Sequence, residues 1–433
     1  MKLFSPNINP LERRTFRLHL TYSIIEGFIL GSLALNEFVF IKSLKGTNLE
    51  LGILFQMSLV VFLLLVFVNE FLKQIKKRRV FLRKVGIITR LPLLLLFFFP
   101  RSAEALQATS MYHLFFLLIF LVYYLAAPVV NPTINLFLKN NYRSQNFGSL
   151  YSYATSVNKI VMLITTFFYG LLLDYDPFAF AYVLPAAGLM GMVSIWFLSE
   201  IDFTAPQLPG HSVSFWQTIK ESIKNMYRIL RNNRPYLHFE ISFMIYGFSY
   251  MITYAVTTIF FYEILNLNYS SVAFYKNSYN ILAIILLPFF GKLMGKFDPR
   301  QIGVISFGAL GLYLFFLALT EFLPYYTDFI GIKLYFTLIF YVIFQGLFAA
   351  TMPLLWNIGS AYFANDNEAE IYQSTHLFLT GVRAMTAPVT GILYYEKFGF
   401  TLTFAIAIVA LMIAIVVLLW SFRRRKISIV RSD

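Results

Sequence analysis

The feature that most constrains this chain is a series of apolar segments, each long enough to cross a bilayer as a helix. Such a helix needs about 20 mostly apolar residues to span a hydrocarbon core of about 30 Å. Apolar runs such as 93–99 do not alternate with polar residues, as the strands of a membrane barrel would. The sequence therefore predicts an all-α membrane protein with twelve transmembrane helices. The segments are 17–42, 50–71, 84–100, 111–138, 147–173, 178–199, 235–262, 270–295, 301–322, 331–362, 370–395 and 399–421.

The composition excludes a soluble protein of two or three domains. Hydrophobic residues make up 58% of the 433 positions and charged residues only 13%, whereas charged residues make up about 25% of a soluble domain. Cysteine is absent, which excludes disulfides, thiol nucleophiles and metal sites built on cysteine. We predict no bound metal and no cofactor.

The net charge of +14 is distributed unevenly among the loops. When the amino terminus is placed in the cytoplasm, the loops on that side hold 26 of the 35 Lys and Arg, and the opposite loops hold five. This bias follows the positive-inside rule for an even number of spans. It predicts a multi-pass protein of a bacterial inner membrane with both termini cytoplasmic. The basic balance thus reflects orientation in the lipid bilayer, and we expect a monomer that binds no nucleic acid.

One long hydrophilic connection, 200–234, divides the chain. Within it, apolar and basic residues recur on opposite sides of a helical pattern, which is typical of a helix at the membrane interface. The apolar side holds Trp216, Ile219, Ile223, Met226 and Leu230, and the basic side holds Lys220, Lys224 and Arg228. We therefore predict a six-helix bundle at 1–199, a cytoplasmic linker with an amphipathic helix at 200–234, a second six-helix bundle at 235–421 and a basic cytoplasmic tail at 422–433.

An internal repeat relates the two predicted bundles. Shifting the chain by 221 residues aligns identical residues at equivalent places in the order of the spans. A single offset for every pair favours a duplication of six spans and predicts two pseudo-symmetric bundles. The aligned pairs are Leu72 with Leu293, Arg79 with Arg300, Pro132 with Pro353, Tyr151 with Tyr372 and Gly170 with Gly391.

With twelve spans, duplicated halves, a long central loop and basic loops after spans 2 and 8, the chain resembles the major facilitator superfamily over essentially its whole length. The superfamily's loop signature runs Gly-x-Leu-x-Asp-Arg-x-Gly-Arg-Arg. The second half keeps Gly291 and Arg300 in register, with Gly295 in place of the Asp, and the first half keeps Arg79 but has Glu70 at the Gly position. The resemblance implies a secondary transporter with gating loops at Glu70, Arg79, Gly291 and Arg300, in which Glu70 replaces the missing carboxylate of the latch.

Ionisable residues inside the spans are the best pointers to function, because a charge in the bilayer is costly unless it is paired or hydrated. Lys159 in span 5 and Arg383 in span 11 both lie about 18 to 20 Å from the cytoplasmic boundary. Each is on a polar helix face, and the resemblance assigns both faces to a central cavity. The two cations predict a substrate with anionic character. The alternative is that each cation pairs with an interior carboxylate and only holds helices together.

Glu26 in span 1 is the carboxylate predicted to be linked to coupling. It lies about 13 Å from the cytoplasmic end of its span, at a depth where it can meet one of the two cations. We predict that it carries a coupling proton or acts as a counter-charge. Arg90 in span 3 is closer to the cytoplasmic end and is expected to snorkel to the interface. Glu240 and Lys276 lie near the ends of spans 7 and 8, where a structural role is expected.

Neutral polar side chains and one histidine extend the predicted cavity. His376 and Thr380 share the polar face of span 11 that carries Arg383. Histidine titrates near neutral pH, but a lone histidine is more often hydrogen-bonded within the protein. The other polar positions assigned to the cavity are Asn131 and Asn135 in span 4, Asn277 and Asn280 in span 8, and Gln345 in span 10.

The sequence favours a secondary active transporter that moves a small solute of anionic character by alternating access. It contains no phosphate-binding Gly-Lys-Ser/Thr loop, which excludes ATP as the energy source. A proton-coupled exporter of amphipathic compounds stays open, with Glu26 as proton carrier and an aromatic wall at Tyr246, Tyr250 and Tyr254. A receptor or a lipid-acting enzyme is a further alternative, although no convergent nucleophile, base or metal cluster is found, and we expect no enzyme activity.

Overall fold

The computed structural model describes residues 8–64, 75, 77–108, 110–202, 215–294, 297–364 and 369–424. These residues fall into two compact units. One lies within Met1–Glu50 and Leu64–Ser212, and the other within Leu51–Leu63 and Val213–Asp433. Residues 51–63, which the order of the spans counts with the first bundle, therefore group with the second unit.

The chain up to residue 202 folds into helices in the part that the structure describes. They are α1 (Pro10–Leu33), α2 (Asn36–Lys42), α3 (Asn48–Val60), α4 (Arg78–Arg90), α5 (Ala103–Ala108), α6 (Met111–Tyr124), α7 (Ala127–Asn141), α8 (Ser144–Tyr175) and α9 (Phe180–Ser199), with 3₁₀ segments at Val61–Leu64 and Leu91–Phe98. Glycines allow α1 and α8 to approach closely: a Cβ at Gly27 would lie 2.5 Å from the Asn158 carbonyl oxygen, and one at Gly31 would lie 2.6 Å from that of Met162. Small residues commonly serve this purpose between membrane helices.

The second half is also helical, with one short β-hairpin. Its helices are α10 (Phe215–Asn232), α11 (Arg234–Glu263), α12 (Tyr269–Met294), α13 (Pro299–Phe322), α14 (Phe336–Leu354), α15 (Ala369–Ala384) and α16 (Ala387–Arg424), with a π-turn at Leu355–Gly359 and a 3₁₀ turn at Ser360–Phe363. The hairpin pairs β1 (Tyr326–Phe329) with β2 (Ile332–Tyr335) in antiparallel register. The hairpin includes residues 331–335, the first five residues of predicted span 331–362. The expectation of a helix is therefore wrong for these five residues.

Nine helical segments in the described part of the chain are long and apolar enough to cross a membrane. The last of them, Ile371–Arg424, has 54 residues, or about 80 Å of helix, which far exceeds one crossing. It bends at Gly399, where φ is 78°, and it contains both predicted spans 11 and 12. Predicted span 2 runs into residues outside the described part, and span 3 is only partly α-helical. The nine segments are therefore consistent with the predicted twelve.

Several predicted spans are interrupted by proline. The predicted continuous helix 84–100 ends at Arg90 and continues as a 3₁₀ helix that contains Pro92. The break between α6 and α7 lies just before Pro128, and the break between α15 and α16 lies just before Pro388. Proline lacks the backbone donor and disfavours the α conformation in the residue before it. The expectation of unbroken helices is therefore wrong at these three places.

The amphipathic helix predicted in the linker is present as α10. Among its described side chains, Met226 and Ile229 are buried, and Lys220 and Lys224 are exposed. Ile223, which belongs to the predicted apolar side, is 54% exposed. The packed face of α10 is thus rotated toward Ile229, and Ile223 stays on the open side of the helix.

The predicted repeat reappears in contacts that join the start of one helix to the end of another. In the first unit, Arg79 in the first turn of α4 forms an ion pair with Glu200 at the end of α9. In the second unit, Arg300 in the first turn of α13 donates to the carbonyl and hydroxyl oxygens of Ser421, at 2.9 and 3.0 Å. Both residues of one contact lie 221 positions from their counterparts in the other. Within each half, equivalent helices are thus joined by a contact at equivalent positions.

Candidate substrate and coupling sites

Arg383 lies in the last turn of α15, buried among aromatic rings of the second unit and only 5% exposed. Its Nη1 donates a hydrogen bond to the carbonyl oxygen of Phe243, and its Nε has no hydrogen-bond partner. Its guanidinium carbon lies 5.6 Å from the ring centroid of Tyr246 and 5.9 Å from that of Trp356. Among the residues that the structure describes, no carboxylate forms an ion pair with Arg383. A buried guanidinium in this state is suited to an anionic ligand.

The guanidinium of Arg383 fits because residue 247 on α11 is glycine. A Cβ at Gly247 would overlap the guanidinium carbon and two of its nitrogens. Position 247 lies 221 residues after Glu26. The place that carries a carboxylate in the first half therefore accommodates a guanidinium in the second. The sequence reasoning missed Gly247, and the repeat offset is the one signal that points to it.

His376 and Glu240 form a buried pair two turns before Arg383. His376 Nδ1 lies 3.0 and 3.2 Å from the two carboxylate oxygens of Glu240, and the two side chains are 1% and 3% exposed. His376 Nε2 is buried and has no hydrogen-bond partner among the residues that the structure describes. The His376 ring lies 4.8 Å from Phe243 and 5.3 Å from Trp356, the two residues that also contact Arg383. Glu240 lies near the start of α11, as the sequence placed it, and α11 and α15 pack with both side chains turned inward.

The three tyrosines of the predicted aromatic wall form a row of ring contacts along α11, here called the aromatic stack, in which the Tyr250 and Tyr254 rings are tilted by 58°. The centroids of Tyr246 and Tyr250 are 6.3 Å apart, and those of Tyr250 and Tyr254 are 5.6 Å apart. The stack continues to Phe55 of α3, whose ring lies 4.2 Å from Tyr254 at an angle of 14°. At the other end, Tyr246 is 2% exposed and stacks on Phe307. That end belongs to the packed interior.

Glu26 and Arg90 occupy the interior of the first unit. Ser194 donates a hydrogen bond of 3.1 Å to Glu26, and Arg90 interacts with Glu26 electrostatically. Among the described residues of this unit, the cation that acts on Glu26 is therefore Arg90, which the sequence reasoning did not pair with it. Arg90 is 5% exposed, donates to the Tyr123 carbonyl at 3.1 Å and lies 4.1 Å from the Tyr123 ring centroid. The expectation that Arg90 snorkels is wrong, because these inward contacts compensate its charge.

Lys159 lies on α8 with its side chain partly buried. It makes no hydrogen bond or ion pair with any residue in the described ranges. Two turns further along, Thr166 donates to the Gly31 carbonyl at 3.2 Å and is 1% exposed. This part of the predicted polar face therefore packs against α1, whereas the Lys159 amine keeps no protein partner there.

The other predicted cavity residues differ in their surroundings. Asn131 is exposed, and of Asn135 the structure describes only the backbone. Asn277 is partly buried, and Asn280 donates to the Lys276 carbonyl of its own helix at 2.7 Å. Thr380 likewise bonds within its helix, to the His376 carbonyl at 3.1 Å. Gln345 is 8% exposed, and its Oε1 has no hydrogen-bond partner.

The arginines of the predicted gating loops pair with carboxylates that the sequence reasoning missed. Glu200 pairs with both Arg79 and Arg83, and the hydrogen bond from the Arg79 side chain holds the pKa of Glu200 below its ordinary value of 4.5. Asp298 pairs with the buried Arg300 at 2.7 Å. Glu70 lies outside the described residues, and a Cβ at Gly291 would meet no atom within 4 Å. The signature does not reveal Glu200, which is remote in sequence, whereas Asp298 lies within the signature two residues before Arg300.

The long apolar helices and the buried charges are those of a multi-pass membrane protein. The chain matches the family model of the Major Facilitator Superfamily over residues 21–369. It therefore belongs to the Major Facilitator Superfamily, as its resemblance predicted, and the predicted fold class is confirmed. No curated protein sequence matches the chain.

Solved structures share this fold at low sequence identity. The nucleoside transporter NupG is 15% identical, with a TM-score of 0.63 over 96% of this chain and 100% of that one. A POT family transporter in complex with 5-aminolevulinic acid is 13% identical, with a TM-score of 0.68 over 95% of this chain and 97% of that one. The xylose transporter XylE from E. coli, in an inward open conformation, is 11% identical, with a TM-score of 0.57 over 92% of this chain and 94% of that one.

Proposed function

We propose that this chain is a secondary active transporter that moves a small, negatively charged solute across the membrane by alternating access. Arg383 is the observation that carries the anionic class, because its guanidinium is 5% exposed and has no carboxylate partner among the described residues. Glu240 acts on this guanidinium electrostatically but does not contact it, and a buried charge without a direct partner costs several kcal/mol. A bound anion offsets this cost, and the guanidinium offers a planar fork that matches a carboxylate or phosphate.

Lys159 is the second cation to which we assign a role in anion transport. It makes no hydrogen bond or ion pair within the described residues, and its side chain is partly buried on α8. We assign it to the attraction of the anion in the first unit. The remaining residues of the proposed binding set are Asn131, Asn135, Asn277, Asn280, Gln345, His376 and Thr380, of which Gln345 has an oxygen free to accept a hydrogen bond.

Glu26 is proposed to carry a coupling proton. Ser194 donates to one of its oxygens and Arg90 acts on it electrostatically, so both the protonated and the ionised form have a compensating neighbour. The proposed gates are the loops at Glu70, Arg79, Gly291 and Arg300. We further propose that the protein is a monomer of a bacterial inner membrane with both termini in the cytoplasm.

The test is flux into liposomes that contain the purified full-length protein. Benzoate, lactate and inorganic phosphate represent anions, and uridine and glucose represent neutral solutes. Arg383→Lys keeps the charge but loses the fork, so we expect about 10- to 100-fold weaker anion transport, and Arg383→Ala should weaken it further. Neutral solutes should change little. Lys220→Ala removes an exposed cation from α10 and is the matched control.

A double variant tests whether the two cations together are required for anion transport. Arg383→Ala combined with Lys159→Ala should abolish selective anion uptake while the protein still elutes as a folded species. Unchanged KM values for the transported anion in this variant would rule out the anionic class.

The proton-coupled export of amphipathic compounds is the second candidate function. The aromatic stack from Tyr246 to Phe55 favours it, since stacked rings bind flat apolar molecules. In that case, Tyr250→Ala should weaken the transport of aromatic dyes more than Arg383→Lys does. The opposite ranking, with anions most affected by Arg383→Lys, supports the anionic class.

A further inference from the structure

The second unit contains a titratable pair that the proposed roles of Arg383 and Glu26 leave unexplained. His376 Nδ1 lies within hydrogen-bond distance of both Glu240 oxygens, and both side chains are at least 97% buried. A carboxylate can only accept hydrogen bonds, so Nδ1 carries the hydrogen that points to Glu240. A neutral His376 then has its lone pair on Nε2. This is the buried nitrogen that has no partner.

The pair is physically connected to Arg383. The two residues are seven positions apart on α15, which places them on the same helix face about 10.5 Å apart along the axis. The Phe243 backbone accepts from Arg383 while its ring contacts His376, and the Trp356 ring contacts both side chains. Arg383 also interacts electrostatically with Glu240. A change of charge on the His376–Glu240 pair therefore acts on Arg383, and a change of charge at Arg383 acts on the pair.

We propose that His376 and Glu240 form a proton-binding site whose occupancy is linked to an anion at Arg383. With His376 neutral, the charges of Glu240 and Arg383 sum to zero. A proton that binds at Nε2 makes the cluster positive by one charge, and a monovalent anion returns it to zero. The second unit by itself then couples one proton to one negative charge. This inference rests on the proposed anionic substrate and adds a second proton site to Glu26.

The surroundings of the pair are otherwise poor in charge. Helix α11 contributes Tyr236, which interacts with Glu240, and Tyr246, which lies beside Arg383. Helix α15 contributes Tyr372, next to Tyr236. The π-turn contributes the neutral Trp356 ring. In the described ranges, Arg383 is thus the cation that acts on the pair.

A matched histidine pair in the first unit provides the control. His113 Nδ1 lies 3.1 Å from a carboxylate oxygen of Glu50, so this histidine is also paired with a carboxylate. Its Nε2, however, lies 2.9 Å from the carbonyl oxygen of Leu44 and is already occupied. The proposal therefore assigns no proton uptake linked to Arg383 to His113.

The first experiment follows the histidine side chains directly, by nitrogen NMR of the ¹⁵N-histidine-labelled full chain in lipid nanodiscs. The His376 signal is identified by its loss in His376→Gln. Replacing Arg383 with Gln removes the cation that acts on the pair, so the pH dependence of the His376 signal should shift, while that of the His113 signal should not. A His376 midpoint that is the same in both proteins, or an Nε2 that never titrates, would falsify the proposed linkage.

The second experiment measures anion uptake as a function of pH in liposomes, with benzoate, lactate and inorganic phosphate as probes. Above the His376 midpoint, the apparent KM of the transported anion should rise by about tenfold per pH unit. His376→Gln should remove this slope, and His113→Gln should keep it. Weakened transport in Arg383→Lys together with an unchanged slope in His376→Gln overturns the proton site and leaves the anionic substrate standing. Unchanged transport in every Arg383 variant overturns the proposed function itself.

Discussion

A single methyl group at position 247 should disable the anion site without changing any charge. The Cβ of Gly247→Ala would overlap the Arg383 guanidinium, which packs against the backbone of α11 at this point. The guanidinium is the flexible end of a long side chain, so it moves aside while the helices stay in place. We expect the hydrogen bond from Arg383 to the Phe243 carbonyl to be lost. The guanidinium of Arg383 should also leave its position over the Trp356 ring.

The magnitude follows from the loss of one charge-assisted hydrogen bond to the bound anion. Such a bond contributes about 1.5 to 3 kcal/mol, which corresponds to about a 10- to 150-fold weaker affinity. The assay is the concentration dependence of benzoate, lactate and phosphate uptake into liposomes. Uridine and glucose uptake measure any general loss of function.

Gly308→Ala is the matched control. It makes the same substitution inside α13 of the same unit, where a Cβ would meet no atom within 4 Å. It should leave anion affinity unchanged and raise the free energy of unfolding slightly, by about 0.5 to 1 kcal/mol, because alanine favours the helix. Equal anion affinity in Gly247→Ala and wild type, with both proteins folded, would refute the assignment of Arg383 to the substrate.

Three further outcomes test the rest of the proposal. Glu26→Gln should abolish proton-driven accumulation of the anion and spare exchange, and normal uphill transport in this variant excludes the proton role. Because the folded-state pKa of Glu200 lies below 4.5, its ion pairs with Arg79 and Arg83 stabilise the protein above that value and are lost as the pH falls through the folded-state pKa. The difference in melting temperature between wild type and Glu200→Gln should therefore shrink from about pH 6 to about pH 3, and a constant difference contradicts this cause. A tag at the carboxyl terminus should be reached only from the cytoplasmic side, whereas labelling from outside reverses the topology.

Local properties of the chain were readable from the sequence. Apolar segment length, loop charge and the 221-residue repeat each depend on residues near one another or on one constant offset, so they determine the helices and the duplicated fold. The helix breaks are only partly of this kind. Pro92, Pro128 and Pro388 accompany them, but Pro185 and Pro288 lie inside unbroken helices, so proline alone does not locate a break.

The partners of the buried charges were decided by the tertiary structure. Helical periodicity shows that Arg383 and His376 share a face, but it gives no information about which residue of another helix meets that face. Packing of α11 against α15 brings Glu240 to His376 and Gly247 to Arg383. A charge in a low-dielectric interior is governed by neighbours within a few ångströms. Their identity depends on helix rotation and close approach, which residues far apart in the sequence determine together.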